Sequence, residues 1–239
     1  MNSSPHSHSP GAAPTPETPR HGHGHGHGHG VDGSGDPVDA PAFWEARYVA
    51  MEQIWSGRVN PVLAQVAGAL TPGRALDVGC GEGGDAVWLA ERGWDVEAID
   101  IAETALARTR RAAEAAGVAD RVRASRYDLE HDLPGGTYDL VSAQFFQSPL
   151  DFPRSRILRD LADRLAPGGA ILVVDHGSAP TWSGHSDTEL PTLAATLEEL
   201  ALDRERFDIE RADSPTRTVT SPDGEQAEIF DHVILARCR

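Results

Sequence analysis

Ala75-Leu-Asp-Val-Gly79-Cys-Gly81-Glu-Gly83-Gly84-Asp85 is the stretch on which the fold turns. A short apolar run ends in a glycine-rich turn, and helix-forming residues follow. Glycine permits positive φ angles and close approach of backbone to a ligand. The amides at the start of the next helix favour anionic or carboxylate groups. Two spacings compete. Gly79, Gly81 and Gly84 fit G-x-G-x-x-G, a dinucleotide pattern that is weak alone. Asp77, Gly79, Gly81 and Gly83 fit D-x-G-x-G-x-G. Asp77 decides between them, because a pyrophosphate would sit badly beside a carboxylate. A cationic ligand would not.

Outward from this turn, strand patterns at 75–78, 95–101, 122–128, 139–145 and 170–175 alternate with helical patterns near 84–92, 102–116 and 154–165. In the last of these Ile157, Leu158, Leu161 and Leu165 keep helical spacing. Strands separated by helices imply a parallel sheet covered on both faces. Upstream, 43–54 and 61–70 read as helices, the second with Asn60 as N-cap and Pro61 at the first helical position. Downstream, a helix over about 189–202 precedes strands at 207–212 and 227–235, with Ser221-Pro-Asp-Gly224 as a turn between them.

Further acids fall at strand ends. Asp100 lies 21 residues beyond Gly79, where a nucleotide-binding sheet places an acid against ribose hydroxyls. Asp128 ends the next strand, and Leu165-Ala-Pro167-Gly168-Gly169 precedes the fifth. In this order the features resemble the class I S-adenosylmethionine-dependent methyltransferases over about residues 70–177. That resemblance implies an α/β fold: a doubly wound, mostly parallel seven-stranded Rossmann-like sheet with an antiparallel C-terminal hairpin. It also implies S-adenosylmethionine as cofactor, held by Asp77, Gly79, Cys80, Gly81, Gly83, Asp100, Ile101, Asp128, Leu129 and Gln144. In the family pattern the acid at Asp128 and the next amide read the adenine edge, and Ile101 and Leu129 supply apolar contact.

A narrower resemblance rests on Phe43-Trp44-Glu-Ala-Arg47-Tyr48 and Trp55-Ser-Gly57-Arg-Val-Asn60. These look like the lead-in of thiopurine- and tellurite-resistance-type methyltransferases, which lies over the cofactor. Arg47 or Trp55 would then close on the ligand; as ordinary helix packing, Trp44, Tyr48 and Trp55 need no such role. The implied reaction is in-line transfer of a methyl group to a small-molecule acceptor: a thiol, a chalcogen oxyanion or a hydroxyl. Such transfer is catalysed mainly by alignment. A thiolate or oxyanion needs no base, whereas a hydroxyl does, and histidine near neutrality is the usual agent. His176, directly after the fifth strand, is the candidate catalytic residue, with loop hydrogen bonding as its plainer role. Gln144, Phe146 and Trp182 are candidates for the acceptor pocket.

Composition sets the outer bounds. The 239-residue chain carries a net charge of −16, and every one of its 21 basic residues is arginine. Without lysine, a Schiff base or a phosphate-loop lysine is excluded. Strong acidity argues against nucleic acid as a partner. No apolar run approaches the roughly 20 residues of a membrane span, and no signal-peptide core is evident, so a cytoplasmic location is expected. Two cysteines make no disulfide framework. Residues 1–40 read as a disordered His/Gly/Pro-rich tail, and 41–239 as one methyltransferase domain. In the tail His21, His23, His25, His27 and His29 alternate with glycine. They suit weak, unselective divalent-metal binding, or form an incidental repeat. Two other functions stay open: a metal-binding protein acting through the tail, and a nucleotide-dependent oxidoreductase, against which Asp77 and the terminal hairpin argue.

Overall fold

The computed structural model describes residues 39–183, 190–221 and 223–239. The tail histidines His21, His23, His25, His27 and His29 lie outside the described residues.

The chain runs α1 (Ala40–Val49), α2 (Pro61–Ala67), β1 (Arg74–Val78), α3 (Gly84–Glu91), β2 (Asp95–Asp100), α4 (Glu103–Ala115), β3 (Val122–Arg126), β4 (Tyr138–Gln144), α5 (Arg154–Ala162), β5 (Leu165–His176), α6 (Leu193–Leu200), β6 (Phe207–Asp213), β7 (Thr216–Thr220) and β8 (Gln226–Cys238). The sheet has the order β3-β2-β1-β4-β5-β8-β6, with β7 pairing β8 off this path. β1 to β5 are mutually parallel, and β8 runs antiparallel between β5 and β6. The mostly parallel doubly wound α/β sheet expected from the sequence is therefore present, with antiparallel strands at its C-terminal edge.

Each face of the sheet buries its own apolar set. On one face Leu76, Val78, Ile99, Val141, Ile171 and Val173 pack with Ile157, Leu158 and Leu161 of α5. Full burial of each such side chain stabilises the fold by about 1.5–3 kcal/mol. On the other face Ala75, Leu140, Leu172 and Val174 meet Leu63 of α2, Leu89 of α3 and Leu106 of α4. The parallel strands thus read as continuous apolar runs because both faces are covered. Asn60 caps α2, its side chain accepting from the Val62 amide at 2.8 Å.

Three local departures have physical causes. The helix over 43–54 ends at Val49, and residues 50–60 form a loop that crosses the glycine turn instead. The helix over 154–165 ends at Ala162, because Leu165 already pairs with Tyr138 as the first residue of β5. The terminal pair is not a simple hairpin: Thr216–Thr220 inserts β7, antiparallel to the first half of β8, so the turn at 221–224 joins β7 to β8. β1 and β4 diverge in chain direction around the sheet, one leading to β2 and the other to β5. Their carboxyl ends bound the crevice where such sheets bind ligands. Among the described residues no helix is long and apolar enough to cross a membrane.

Candidate active site

The turn after β1 is built from backbone that only glycine adopts readily. Gly79, Gly81 and Gly83 have φ of +67°, +54° and +82°. The Cys80 amide donates to the Ile99 carbonyl at 2.9 Å, tying the turn to β2. The Thr109 hydroxyl of α4 donates to the Gly81 carbonyl at 3.0 Å. Asp100, at the end of β2, accepts from the Gly81 amide with Oδ2 and from the Ala102 amide with Oδ1, both at 3.0 Å.

Around this turn lies a cluster of carboxylates. Asp77 is 2% exposed, and its Oδ2 has no hydrogen-bond partner among the described residues. Burial, then the charges of Asp85 and Asp100, push its carboxyl well above the ordinary range. Burial pushes Asp85 up to about 6, against the Asn60 amide that donates to it at 2.6 Å. Asp100 is likewise pushed up to about 6 by burial, despite its backbone hydrogen bonds. No arginine is paired with any of the three among the described residues. An acidic cluster so largely withdrawn from water, with an unsatisfied oxygen, disfavours its own ionised form, and a cation placed beside it reverses that. Sulfonium and ammonium groups, as in S-adenosylmethionine, fit this requirement; a pyrophosphate does not. Cys80 is buried beside them, and burial followed by Asp100 and Asp77 raises its thiol well above the ordinary value. It is a protonated filler, not a nucleophile.

The segment after α1 is stitched over the turn through Glu82, a variable position of the glycine motif. Its carboxylate accepts from the amides of Ile54 (3.1 Å) and Trp55 (3.0 Å) and from Arg108 of α4 (2.6 Å). Arg108 also donates to the carbonyls of Tyr48 and Met51. The Trp55 indole donates to the Tyr48 hydroxyl at 3.1 Å. A Cβ on Gly81 would meet Trp55 Cδ1 at 3.0 Å and the Tyr48 oxygen at 3.2 Å. Trp55 remains 49% exposed. It therefore forms an outer wall above Gly81.

Across the crevice, Gln144 donates to the Ser142 hydroxyl at 2.8 Å, while its Oε1 is buried without a partner among the described residues. Ser142 is the register partner of Asp77, so the two orphan acceptors share one face of the sheet. Phe145 follows with φ of +53°, a left-handed conformation costly for a non-glycine residue. Its ring stacks on His176, centroids 4.0 Å apart. The ring of Phe146 lies over Gly79, 2.8 Å from where a Cβ would stand, and edge-on to Phe152. Arg154 of α5 holds the Phe146 carbonyl at 2.6 Å and pairs with buried Asp175 through both carboxylate oxygens. The Asp175 carboxyl is nonetheless raised, since burial outweighs Arg154. His176 is half-exposed, and its Nδ1 lies 3.5 Å from Oδ1 of Asp231 on β8.

The structure thus gathers Asp77, Gly79, Cys80, Gly81, Gly83, Asp100, Gln144, Phe146, Trp55 and His176 about the carboxyl ends of β1, β2, β4 and β5. Asp128 sits at the end of β3 with its carboxylate 3.1 Å from His131 Nδ1, and buried Leu129 joins the core beside it. Ile101 is half-buried, its carbonyl accepting from Arg126. Arg47 is exposed, with its guanidinium 5.9 Å from the Trp44 ring, and among the described residues no hydrogen bond or ion pair ties it to the glycine turn. Trp182 is half-buried in a turn beyond β5. Sequence reasoning missed Glu82, Arg108, Asp231 and Arg217, which act across large separations in the chain. Among the described residues no group of three or more His, Cys, Asp or Glu is arranged to hold a metal.

Residues 75–169 match the family model described as a methyltransferase domain. The chain is 39% identical over 110 residues to ribosomal RNA small subunit methyltransferase C of Chromohalobacter salexigens, covering 45% of this chain and 32% of that protein. It is 33% identical over 117 residues to ubiquinone biosynthesis O-methyltransferase of Bordetella avium, covering 47% and 48%. The chain therefore spans about a third to a half of the length of these relatives. Among solved structures, TehB from Haemophilus influenzae superposes with a TM-score of 0.62 at 18% identity, covering 82% of this chain and 67% of that one, a likeness of fold.

The first relative overturns one expectation. Net acidity does not exclude nucleic acid as a partner, since a protein named for ribosomal RNA shares this domain. The physical reason is that net charge sums over the whole surface, whereas recognition depends on the potential at one face. Residues 75–169 are thus similar to a methyltransferase domain, on a Rossmann-like fold shared with TehB, with an unpaired acidic cluster beside the glycine turn.

Proposed function

We propose that the protein transfers a methyl group from S-adenosylmethionine to an acceptor seated at the carboxyl ends of β4 and β5. The observation that carries this reading is the trio of buried Asp77 and partly buried Asp85 and Asp100, with no arginine paired to them and Asp77 Oδ2 unpartnered among the described residues. When bound, S-adenosylmethionine supplies a methyl group on a cationic sulfur.

The chain's residues do the rest. Asp77 and Gln144 would offer their orphan acceptors to the amino-acid end of the cofactor, and Asp100 would hold the ribose. Asp128, Leu129 and Ile101 would hold the adenine. Gly79, Gly81 and Gly83 keep the turn free of side chains, while Cys80 fills space beneath it. Trp55, anchored through Glu82, and Phe146 exclude water from either side. Alignment is the main contribution to rate for such a displacement. The segment resting on Gly81 supports kinship with thiopurine- and tellurite-type enzymes for the lid, while saying nothing of the acceptor. Residues 41–239 form the proposed catalytic domain, with 1–40 as its tail.

Two acceptor classes are favoured by specific observations. Small molecules are favoured by the relative named for ubiquinone biosynthesis, and ribosomal RNA by the relative named for it. The test is transfer of label from S-adenosylmethionine to a panel of thiols, selenite, tellurite, phenols, and ribosomal and transfer RNA. Labelled product with one class and not the others assigns the acceptor. No label in any product, and no binding of S-adenosylhomocysteine, refutes the reading.

A further inference from the structure

His176 does not stand alone at the acceptor side of the crevice. Its Nδ1 lies 3.5 Å from Oδ1 of Asp231, which is directly opposite it in the β5–β8 register. The Asp231 side chain is only 6% exposed. Arg217, on β7, grips that carboxylate with Nε on Oδ2 and a second nitrogen 3.2 Å from Oδ1. Burial alone would raise the Asp231 carboxyl, but His176 and Arg217 hold it below the ordinary value. The imidazole is fixed from a third side by Phe145, whose ring is within 15° of parallel. The Arg217 guanidinium lies 5.9 Å from that same ring. The His176 amide donates to the Gln147 side chain at 3.2 Å. Other charged groups nearby, Asp175 and its partner Arg154, belong to the opposite face of the sheet. His176 Nε2 has no partner among the described residues.

We propose that Asp231, clamped by Arg217, is a positioning residue that keeps the Nδ1–H tautomer of His176, so that Nε2 takes the proton of an acceptor hydroxyl on a flat ring. This rests on the methyl-transfer reading above and names its substrate class. A thiolate or oxyanion brings no proton to remove, so a histidine held in one tautomer would have no step to serve. A phenolic hydroxyl does bring one, and its ring suits a crevice flanked by Phe145, which stacks on His176, and Phe146, which covers Gly79. In the step, the O–H bond breaks with its proton passing to His176 Nε2. The oxygen lone pair forms the O–CH3 bond. The C–S bond breaks with its electron pair staying on sulfur, and the imidazolium then returns its proton to water. A carboxylate behind Nδ1–H stabilises that imidazolium. Residues 145 and 146 bridge the two halves of the site: one ring stacks on His176 and the next covers Gly79. The left-handed φ of Phe145 makes this double contact from adjacent positions.

The test uses full-length protein and two independent readouts. Nitrogen-15 NMR of histidine-labelled protein at pH 8, with His176 assigned by its loss in His176→Gln, reports the tautomer without cofactor or turnover. The expected pattern is Nδ1–H with bare Nε2, moving toward Nε2–H in Asp231→Asn. With catechol as acceptor, both variants should lose about 100-fold in kcat while the KM for catechol stays within about threefold. The rise of wild-type kcat/KM with pH should vanish in His176→Gln. Unchanged S-adenosylhomocysteine binding by calorimetry shows that each variant is folded; His176 is half-exposed, so its variant is the safer of the two. An unaltered tautomer in Asp231→Asn, full catechol turnover in His176→Gln, or methylation confined to thiols or RNA overturns the proposal. Failure of the wild type to bind S-adenosylhomocysteine instead sinks the methyl-transfer reading, and the tautomer measurement still judges the pair.

Discussion

Asp85→Asn is the perturbation with the most definite physical content. The Asp85 carboxylate accepts one backbone hydrogen bond, from Asn60 to Oδ1, which an asparagine oxygen can also accept. The substitution therefore removes the charge and leaves the contact. In the folded ligand-free domain burial lifts this carboxyl from 3.8 to about 6, worth about 3 kcal/mol. The sign follows from linkage: with the folded value above the unfolded one, the group's contribution is intact below the unfolded value and is lost as pH rises through the folded one. At pH 8 the wild type carries the full cost, so Asp85→Asn is more stable by about 3 kcal/mol. At pH 5 the advantage falls to roughly half, and near pH 4 to about a fifth. Urea denaturation of full-length wild type and variant at the three pH values reads this directly. For a domain of this size the pH 8 difference corresponds to a rise in Tm of about 6–12 °C. The same variant should bind S-adenosylmethionine more weakly, because one carboxylate of the cluster beside the glycine turn can no longer ionise. A variant less stable than wild type at pH 8, or a gap flat with pH, would refute the electrostatic reasoning.

Other substitutions test neighbouring parts. Gly81→Ala places a Cβ against Trp55 and Tyr48 at a φ of +54°, and should cost about 1–3 kcal/mol and abolish S-adenosylhomocysteine binding by calorimetry. Glu82→Ala leaves the Arg108 guanidinium and the amides of Ile54 and Trp55 without their acceptor. Breaking such a buried pair costs about 3–5 kcal/mol, and amide exchange at residues 54 and 55 should accelerate; unchanged protection there contradicts the stitching role. Phe145→Gly relieves the left-handed backbone while losing the ring stack, worth about 0.5–1.5 kcal/mol. Its urea midpoint should stay near wild type while methyl-transfer kcat falls.

Local chemistry was legible in the sequence wherever it repeated at short range. Asp77 and the glycines of the turn lie within eight consecutive residues, 77–84, and Asp100 and Asp128 each close an apolar run, so the parallel half of the sheet could be read from the chain. β7 could not. Its Thr-Arg-Thr-Val-Thr pattern is half-buried on one side only and sits between two turn-rich segments, which resembles a connection. Missing β7 meant missing Arg217, and with it the grip on Asp231 behind His176. Glu82 and Arg108 were hidden for another reason: a variable position in a glycine motif and an arginine on an amphipathic helix look solvated. Only the fold shows 8% and 15% side-chain exposure at the hub that holds Trp55 down. The charge argument against nucleic acid failed because it treated a sum over the surface as a property of one face.

The most direct measurement is calorimetric titration of full-length protein with S-adenosylmethionine at pH 8 and pH 5, alongside Asp100→Ala. One-to-one binding that weakens as pH falls through about 6, where Asp85 and Asp100 take up protons, and that disappears in a folded Asp100→Ala variant, is the expected result. Absence of binding near millimolar cofactor at pH 8, or binding that strengthens on acidification, would contradict a carboxylate cluster built for a cationic cofactor.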